Sequence, residues 1–181
     1  MKSINILLCF FLFSTISFGQ GKFLTKQGYA SFFSSSPAED IEANNNQVLS
    51  IIDTSTGTIA ISILMKSFMF EKSLMQEHFN ENYVESDKYP KAIFKGQILD
   101  FKNIAGNEQV VSIVGDITIH GVTKKLETQG KINKTEGSIT LAGDFPVKVA
   151  DFGIKIPSVV VNNIAETIKV TFELDHKPYK K

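Results

Sequence analysis

The side chains that could do chemistry are few and scattered. Three histidines, His78, His120 and His176, stand too far apart in sequence for any pair to have metal-ligand spacing, and Glu77-His78 lacks the second histidine four residues on that a zinc motif needs. No structural or catalytic metal is expected. The serines of Ser34 to Ser36 lie outside any Gly-x-Ser-x-Gly elbow, and neither a glycine-rich phosphate loop nor a dinucleotide fingerprint is present. With no nucleophile or acid–base pair evident, the chain reads as a non-enzyme that needs no cofactor. His120, directly before Gly121, is placed to make a hydrogen bond that fixes a hairpin or rim. Lys124-Lys125 and the tail lysines Lys177, Lys180 and Lys181 read as solvated surface charge.

All 19 basic residues are lysines. Without arginine the planar fork that grips phosphate in two bonds is missing, so no nucleic-acid partner is expected. The N-terminus carries Lys2, an apolar run from Ile4 to Phe13, a more polar stretch from Ser14 to Ser17, and then Gly19. This is the pattern of a secretory signal peptide, residues 1–19, cleaved before Gln20. The run is too short to span about 30 Å of hydrocarbon as a helix, so no stable membrane anchor should remain after cleavage. The expected destination is the periplasm or the medium. Cys9 is the one cysteine and lies in that run, which leaves the mature chain without disulfides or thiol chemistry.

The remaining residues, 20–181, are enough for one domain with a real core, 43% of the whole chain being hydrophobic. Their dominant pattern is alternation of apolar and polar side chains, the period of a strand with one buried face. Ile59, Ile61, Ile63 and Met65 alternate over 57–65, with Thr58, Ala60 and Ser62 between them. Over 91–101 Ala92, Phe94, Gly96 and Ile98 face opposite Lys91, Lys95 and Gln97, and over 108–120 Val111, Ile113, Ile117 and Ile119 face opposite Ser112, Asp116, Thr118 and His120, with Val110 and Val114 blurring the pattern. Ile139, Leu141, Phe145 and Val147 follow over 137–147, and Ile168, Val170, Phe172 and Leu174 over 166–175. Weaker strand patterns cover 22–34, 41–53 and 123–134. Turn signals at Asp53–Gly57, Ala105–Asn107, His120–Gly121 and Thr135–Gly137 make most connections hairpins. Eight such strands, each with one apolar face, are best served by closing into a barrel, which removes the sheet edges.

One segment breaks the period. From Phe68 to Glu85, Leu74, Met75, His78, Phe79 and Tyr83 recur at helical spacing, with Ser73 a candidate cap or the start earlier, near Ser67. Pro90 ends any helix before the next strand. Leu74, Met75 and Phe79 would then close one barrel end as a plug or lid, or simply pack there.

Three segments carry a family resemblance. Phe79-Asn80-Glu81-Asn82-Tyr83-Val84-Glu85-Ser86-Asp87-Lys88-Tyr89-Pro90-Lys91-Ala92-Ile93-Phe94 combines a helix end, an acidic turn, Tyr-Pro and a strand with Phe. Gly115-Asp116-Ile117-Thr118-Ile119-His120-Gly121-Val122-Thr123-Lys124 is a strand-turn-strand element, and Asp151-Phe152-Gly153-Ile154 precedes a polar spacer and the final strand. Together they resemble the YceI-like family over essentially the whole mature chain. The resemblance implies an all-β fold, an extended lipocalin-like eight-stranded antiparallel β-barrel with one inserted helix at about 68–85. It also implies a lengthwise apolar cavity for a polyisoprenoid chain. The opening Ser34-Ser35-Ser36-Pro37-Ala38-Glu39-Asp40 departs from the family pattern, which bears on the head group.

The residues by themselves leave a hollow and a filled barrel open. Strands of about 10 residues at roughly 3.3 Å each would give a lumen near 30 Å long. The candidate lining is Ile59, Ile61, Ile63, Phe94, Ile98, Val111, Ile113, Ile117, Ile119, Phe145, Ile168, Val170 and Phe172, with Leu74, Met75 and Phe79 from the helix. Each could equally be plain core. The expected function is an exported carrier or store of a polyisoprenoid or isoprenoid-quinone-like lipid, with a neutral head group favoured by the missing arginine. The alternative is a packed, stress-related interaction module without lipid. The sequence leaves open whether two copies form a homodimer.

Overall fold

The computed structural model describes residues 21–179. The signal-peptide reading, including Cys9, lies outside them. Eight long strands, β1 (Lys22–Ser35), β2 (Asp40–Asp53), β3 (Thr58–Leu64), β5 (Lys91–Ile98), β6 (Gln109–Ile119), β7 (Val122–Lys134), β8 (Ile139–Lys148) and β9 (Thr167–Pro178), run up and down in sequence order. Every neighbouring pair is antiparallel, and β1 pairs with both β2 and β9, so the sheet closes. A two-residue strand, β4 (Met69–Phe70), adds to the free end of β2 through Ala43 and Asn44. The eight-stranded antiparallel barrel read from the alternation is the observed fold.

The inserted helix is shorter than the spacing suggested. Met65–Ser67 forms a 3-10 turn, Met69–Phe70 is β4, and only Ser73–His78 is α-helical (α1), continuing as a π-type turn over Phe79–Tyr83. Ser73 is the first helical residue and not the cap. Phe68 and Phe70 keep the two-residue period of a strand, which is why the N-terminal part of the expected helix pairs with β2 instead.

The barrel has two unlike ends. At one end the connection after β5 turns into a 3-10 helix, Phe101–Asn103, whose Phe101 and the following Ile104 are buried with Ile52, Ile98, Ile132 and Ile139. This end is a solid floor. His176 is fully buried near it. Its Nδ1 donates to the Ile139 carbonyl at 3.0 Å, and its Nε2 accepts from the Ser50 hydroxyl at 2.8 Å. Those partners fit the neutral ring, and burial lowers the His176 pKa, outweighing the backbone bond and nearby Asp175, which act the other way. Across the barrel middle, Gly96 and Gly115 face each other on β5 and β6, with the Phe94 ring folded over them. A Cβ on Gly115 would lie 2.6 Å from Gly96 Cα and 2.8 Å from Phe94 Cζ, so the bare backbone is what makes room for that ring.

Candidate functional site: an apolar chamber under the inserted helix

The other end is roofed, not filled. Phe32 of β1 meets Phe68, Phe70 and Phe79 with ring centroids 5.4 to 5.7 Å apart, and Phe70 and Phe79 lie 5.1 Å apart. Met65, Val84 and Ala43 complete this second small core. Such ring clusters contribute dispersion and edge–face electrostatics beyond simple burial, and this one fastens the insertion over the barrel mouth. The long connection from β8 to β9 covers the opposite side, tied back where the buried Ser34 hydroxyl accepts from the Ala165 N–H at 2.9 Å.

Between roof and barrel lies a chamber of about 290 Å³. Its walls are Ile63, Ala92, Ile117, Ile119, Phe145, Val147, Ile168 and Val170, and its roof includes Phe68, Met75, Phe79 and Ile164. Five polar side chains join this lining, Ser34, Glu39, His78, Tyr83 and Asn163, of which Ser34 is buried and His78 is exposed. Lys72 pairs with Glu39, and burial raises the pKa of the Tyr83 phenol, which stays neutral. A smaller pocket of about 60 Å³ lies deeper and shares Ile63, Ala92, Ile117, Phe145 and Val170 with the chamber. Below it the floor is closed, so the hollow does not run the full length of the barrel that the resemblance implies.

Of the residues read as lining, Ile63, Met75, Phe79, Ile117, Ile119, Phe145, Ile168 and Val170 border the chamber, and Ile59, Ile61, Phe94, Ile113 and Phe172 border the deeper pocket. Ile98 and Val111 belong to the packed core and border neither. Leu74 is 59% exposed, because a helix of under two turns presents its neighbour Met75 to the chamber and turns Leu74 to solvent. The sequence reading missed Phe32, Phe68 and Phe70, and also Ile154, Ile156, Val160 and Ile164 from the β8–β9 connection. The first three had a signal in their alternation, while the connection has no period to read. Among the described residues, no three His, Cys, Asp or Glu side chains converge on a metal-sized site.

His120 knits the rim together. It and Gly121 both have positive φ, 51° and 75°, as the two-residue β6–β7 hairpin demands. Its Nδ1 meets the Phe152 carbonyl at 3.0 Å and its Nε2 the Glu85 carboxylate at 2.7 Å, while Tyr89 packs edge-on with centroids 4.6 Å apart. Both hydrogen-bond partners are acceptors, so the two bonds coexist only on the doubly protonated ring. Glu85 and Tyr89, His120 and Gly121, and Phe152 come from the three segments singled out in the sequence, and they meet at this one point.

A family model for the YceI-like domain matches residues 14–176. The chain belongs to the YceI-like family. Solved structures agree on the fold of this YceI-like protein. A polyisoprenoid-binding domain from Saccharophagus degradans, implicated in plant cell wall breakdown, superposes with a TM-score of 0.77 at 18% identity, covering 88% of this chain and 99% of its own. BcnA of Burkholderia cenocepacia gives 0.69 at 18% identity, covering 82% of this chain and 95% of its own. A YceI protein of Campylobacter jejuni gives 0.58 at 14%, covering 99% and 94%. A comparison with curated protein sequences finds no match.

Proposed function

We propose that this YceI-like protein is an exported, non-catalytic binder of an isoprenoid lipid, holding the tail in the chamber and leaving the polar end at the rim. The observation that carries the reading is the chamber's lining, in which every side chain other than Ser34, Glu39, His78, Tyr83 and Asn163 is apolar. Compact metabolites need several polar contacts inside a site; a hydrocarbon tail needs none. At about 30 Å³ per water-sized group, the chamber takes about ten non-hydrogen atoms of tail. At about 0.8 kcal/mol per buried CH₂ this contributes roughly 8 kcal/mol, the micromolar range before the cost of immobilising the lipid.

The chain has no arginine, no lysine among the described residues lines the chamber, and Lys72 is already engaged by the lining residue Glu39. That supports a neutral head group, such as a quinone or an alcohol, over a pyrophosphate. The signal-peptide pattern of residues 1–19 supports export to the periplasm or beyond. The solid floor favours the packed-module alternative for the lower barrel alone, and the roofed chamber has no role in that reading. Calorimetric titration of delipidated protein with a prenyl alcohol tests the proposal. Saturable one-to-one uptake is expected, and no heat or uptake at any accessible concentration would reject it.

A further inference from the structure

We infer that an isoprenoid tail crosses the barrel wall through a seam between β7 and β8, so that a tail too long for the chamber runs on to the outer surface. The inference rests on the lipid-binding reading and specifies where the far end of the lipid goes. The β7–β8 ladder is short, running only from Lys134–Ile139 to Gly130–Gly143. Past that last pair, Val122–Gln129 stay paired with β6 and Asp144–Lys148 with β9, but not with each other. Among the described residues one side-chain bond crosses this stretch, from the Thr128 hydroxyl to the Asp144 carbonyl at 3.0 Å. The seam is shut again at its other end, where His120 meets the carbonyl of Phe152 just after β8. It is therefore a slot in the wall, closed above and below, about 20 Å long at roughly 3.3 Å per residue.

Most of what lies behind the slot is apolar. Leu126 and Thr128 of β7 and Phe145 of β8 border the deeper pocket, and Phe145 and Val147 border the chamber. The deeper pocket also shares Thr128 and Phe172 with an open hollow on the outer face, whose lining includes Val110, Gly130, Gly143 and Asp144. Chamber, deeper pocket and outer hollow thus adjoin in that order, and the last step lies beside Gly130–Gly143, a ladder pair with no side chains to block it. Lys124 marks the same opening. It stands in register with the chamber residue Ile117, which puts it on the inner face, yet it is exposed, as the missing neighbour on β8 allows. A tail threading the slot breaks no ladder bond, and outside it meets the exposed Val110. The chamber alone takes about ten tail atoms, so a four-unit lipid needs a continuation, and the packed floor of Ile52, Ile98 and Phe101 offers none.

The test is photocrosslinking with geranylgeraniol, a linear four-unit alcohol, carrying a diazirine at the end remote from the hydroxyl, with the adducts mapped by mass spectrometry. Adducts are expected beside the slot, at Thr128, Gln129 and Asp144, whereas a two-unit geraniol probe of the same design should label the chamber walls. Thr128→Phe, whose ring fills the inner mouth of the slot, should lower the affinity for geranylgeraniol relative to geraniol at least about tenfold in titrations. Geranylgeraniol adducts confined to the chamber walls, the roof or the floor overturn the inference, as does a folded Thr128→Phe protein with the wild-type affinity ratio. If that variant does not fold, the wild-type adduct map decides alone. Failure of both alcohols to bind the wild type overturns the lipid reading itself, and the two failures are thereby distinguished.

Discussion

Replacing His120 with alanine should loosen the barrel mouth by an amount the geometry allows to be worked out. The substitution strips the Phe152 carbonyl, in a residue only 5% exposed, of its partner, which costs about 1–3 kcal/mol for an acceptor left dry. It also deletes the edge-on contact with Tyr89, worth about 0.5–1.5 kcal/mol. The ion pair with Glu85 adds less than about 1 kcal/mol, because that carboxylate is 44% exposed and screened by water. The total is about 1.5–5.5 kcal/mol, or a fall in melting temperature of about 3–20 °C for a domain of this size. Urea unfolding followed by circular dichroism measures it, together with two companions. Glu85→Gln should lose less than about 1 kcal/mol. His120→Asn, a residue that tolerates the left-handed backbone required at φ 51°, should recover part of the loss. A loss under about 0.5 kcal/mol for His120→Ala, beside a fully folded spectrum, would refute the claim that this side chain joins the three segments.

The buried neutral His176 predicts a pH dependence. Its folded-state pKa lies below the ordinary 6.5, so the unfolded chain takes up a proton that the fold refuses. Stability from this group is complete above about pH 6.5 and declines as the pH falls below it, whereas the lowered carboxyls of Asp53 and Asp175, whose ordinary value is 3.8, act only in a more acidic window. Urea midpoints measured from pH 8 to 5 should fall for the wild type, and a flat profile would contradict the assignment. Gly115→Ala forces a Cβ against Gly96 and the Phe94 ring and should cost about 1–3 kcal/mol in the same assay, with an unchanged midpoint counting against the close packing. Val170→Phe adds four carbons into the chamber and should weaken prenyl-alcohol binding at least about tenfold with the fold retained; full binding would place the lipid elsewhere.

The barrel was legible because a period of two is a direct record of one buried face per strand, and it survives even where individual residues blur it. The same parity, carried two residues beyond Leu174, points His176 inward, so its burial was readable from the alternation itself. The insertion was less legible because two periods abut there. Phe68 and Phe70 follow strand spacing and Met75 and Phe79 follow helix spacing, and a window spanning both merges them into one helix. Leu74 and Met75 differ in exposure only because the helix is too short to bury more than one narrow face. The floor escaped notice for a different reason: Phe101 and Ile104 sit in a connection, where depth is set by how the chain folds back and not by any repeat. The lining of the β8–β9 connection was hidden in the same way.

The central claim is that the roofed chamber holds a prenyl tail. Native mass spectrometry of the protein purified from its producing cells, followed by extraction and identification of the bound molecule, tests it most directly. The account predicts one prenyl lipid per chain, released when the protein is unfolded. A ligand-free spectrum that stays unchanged after prenyl lipids are added would contradict it.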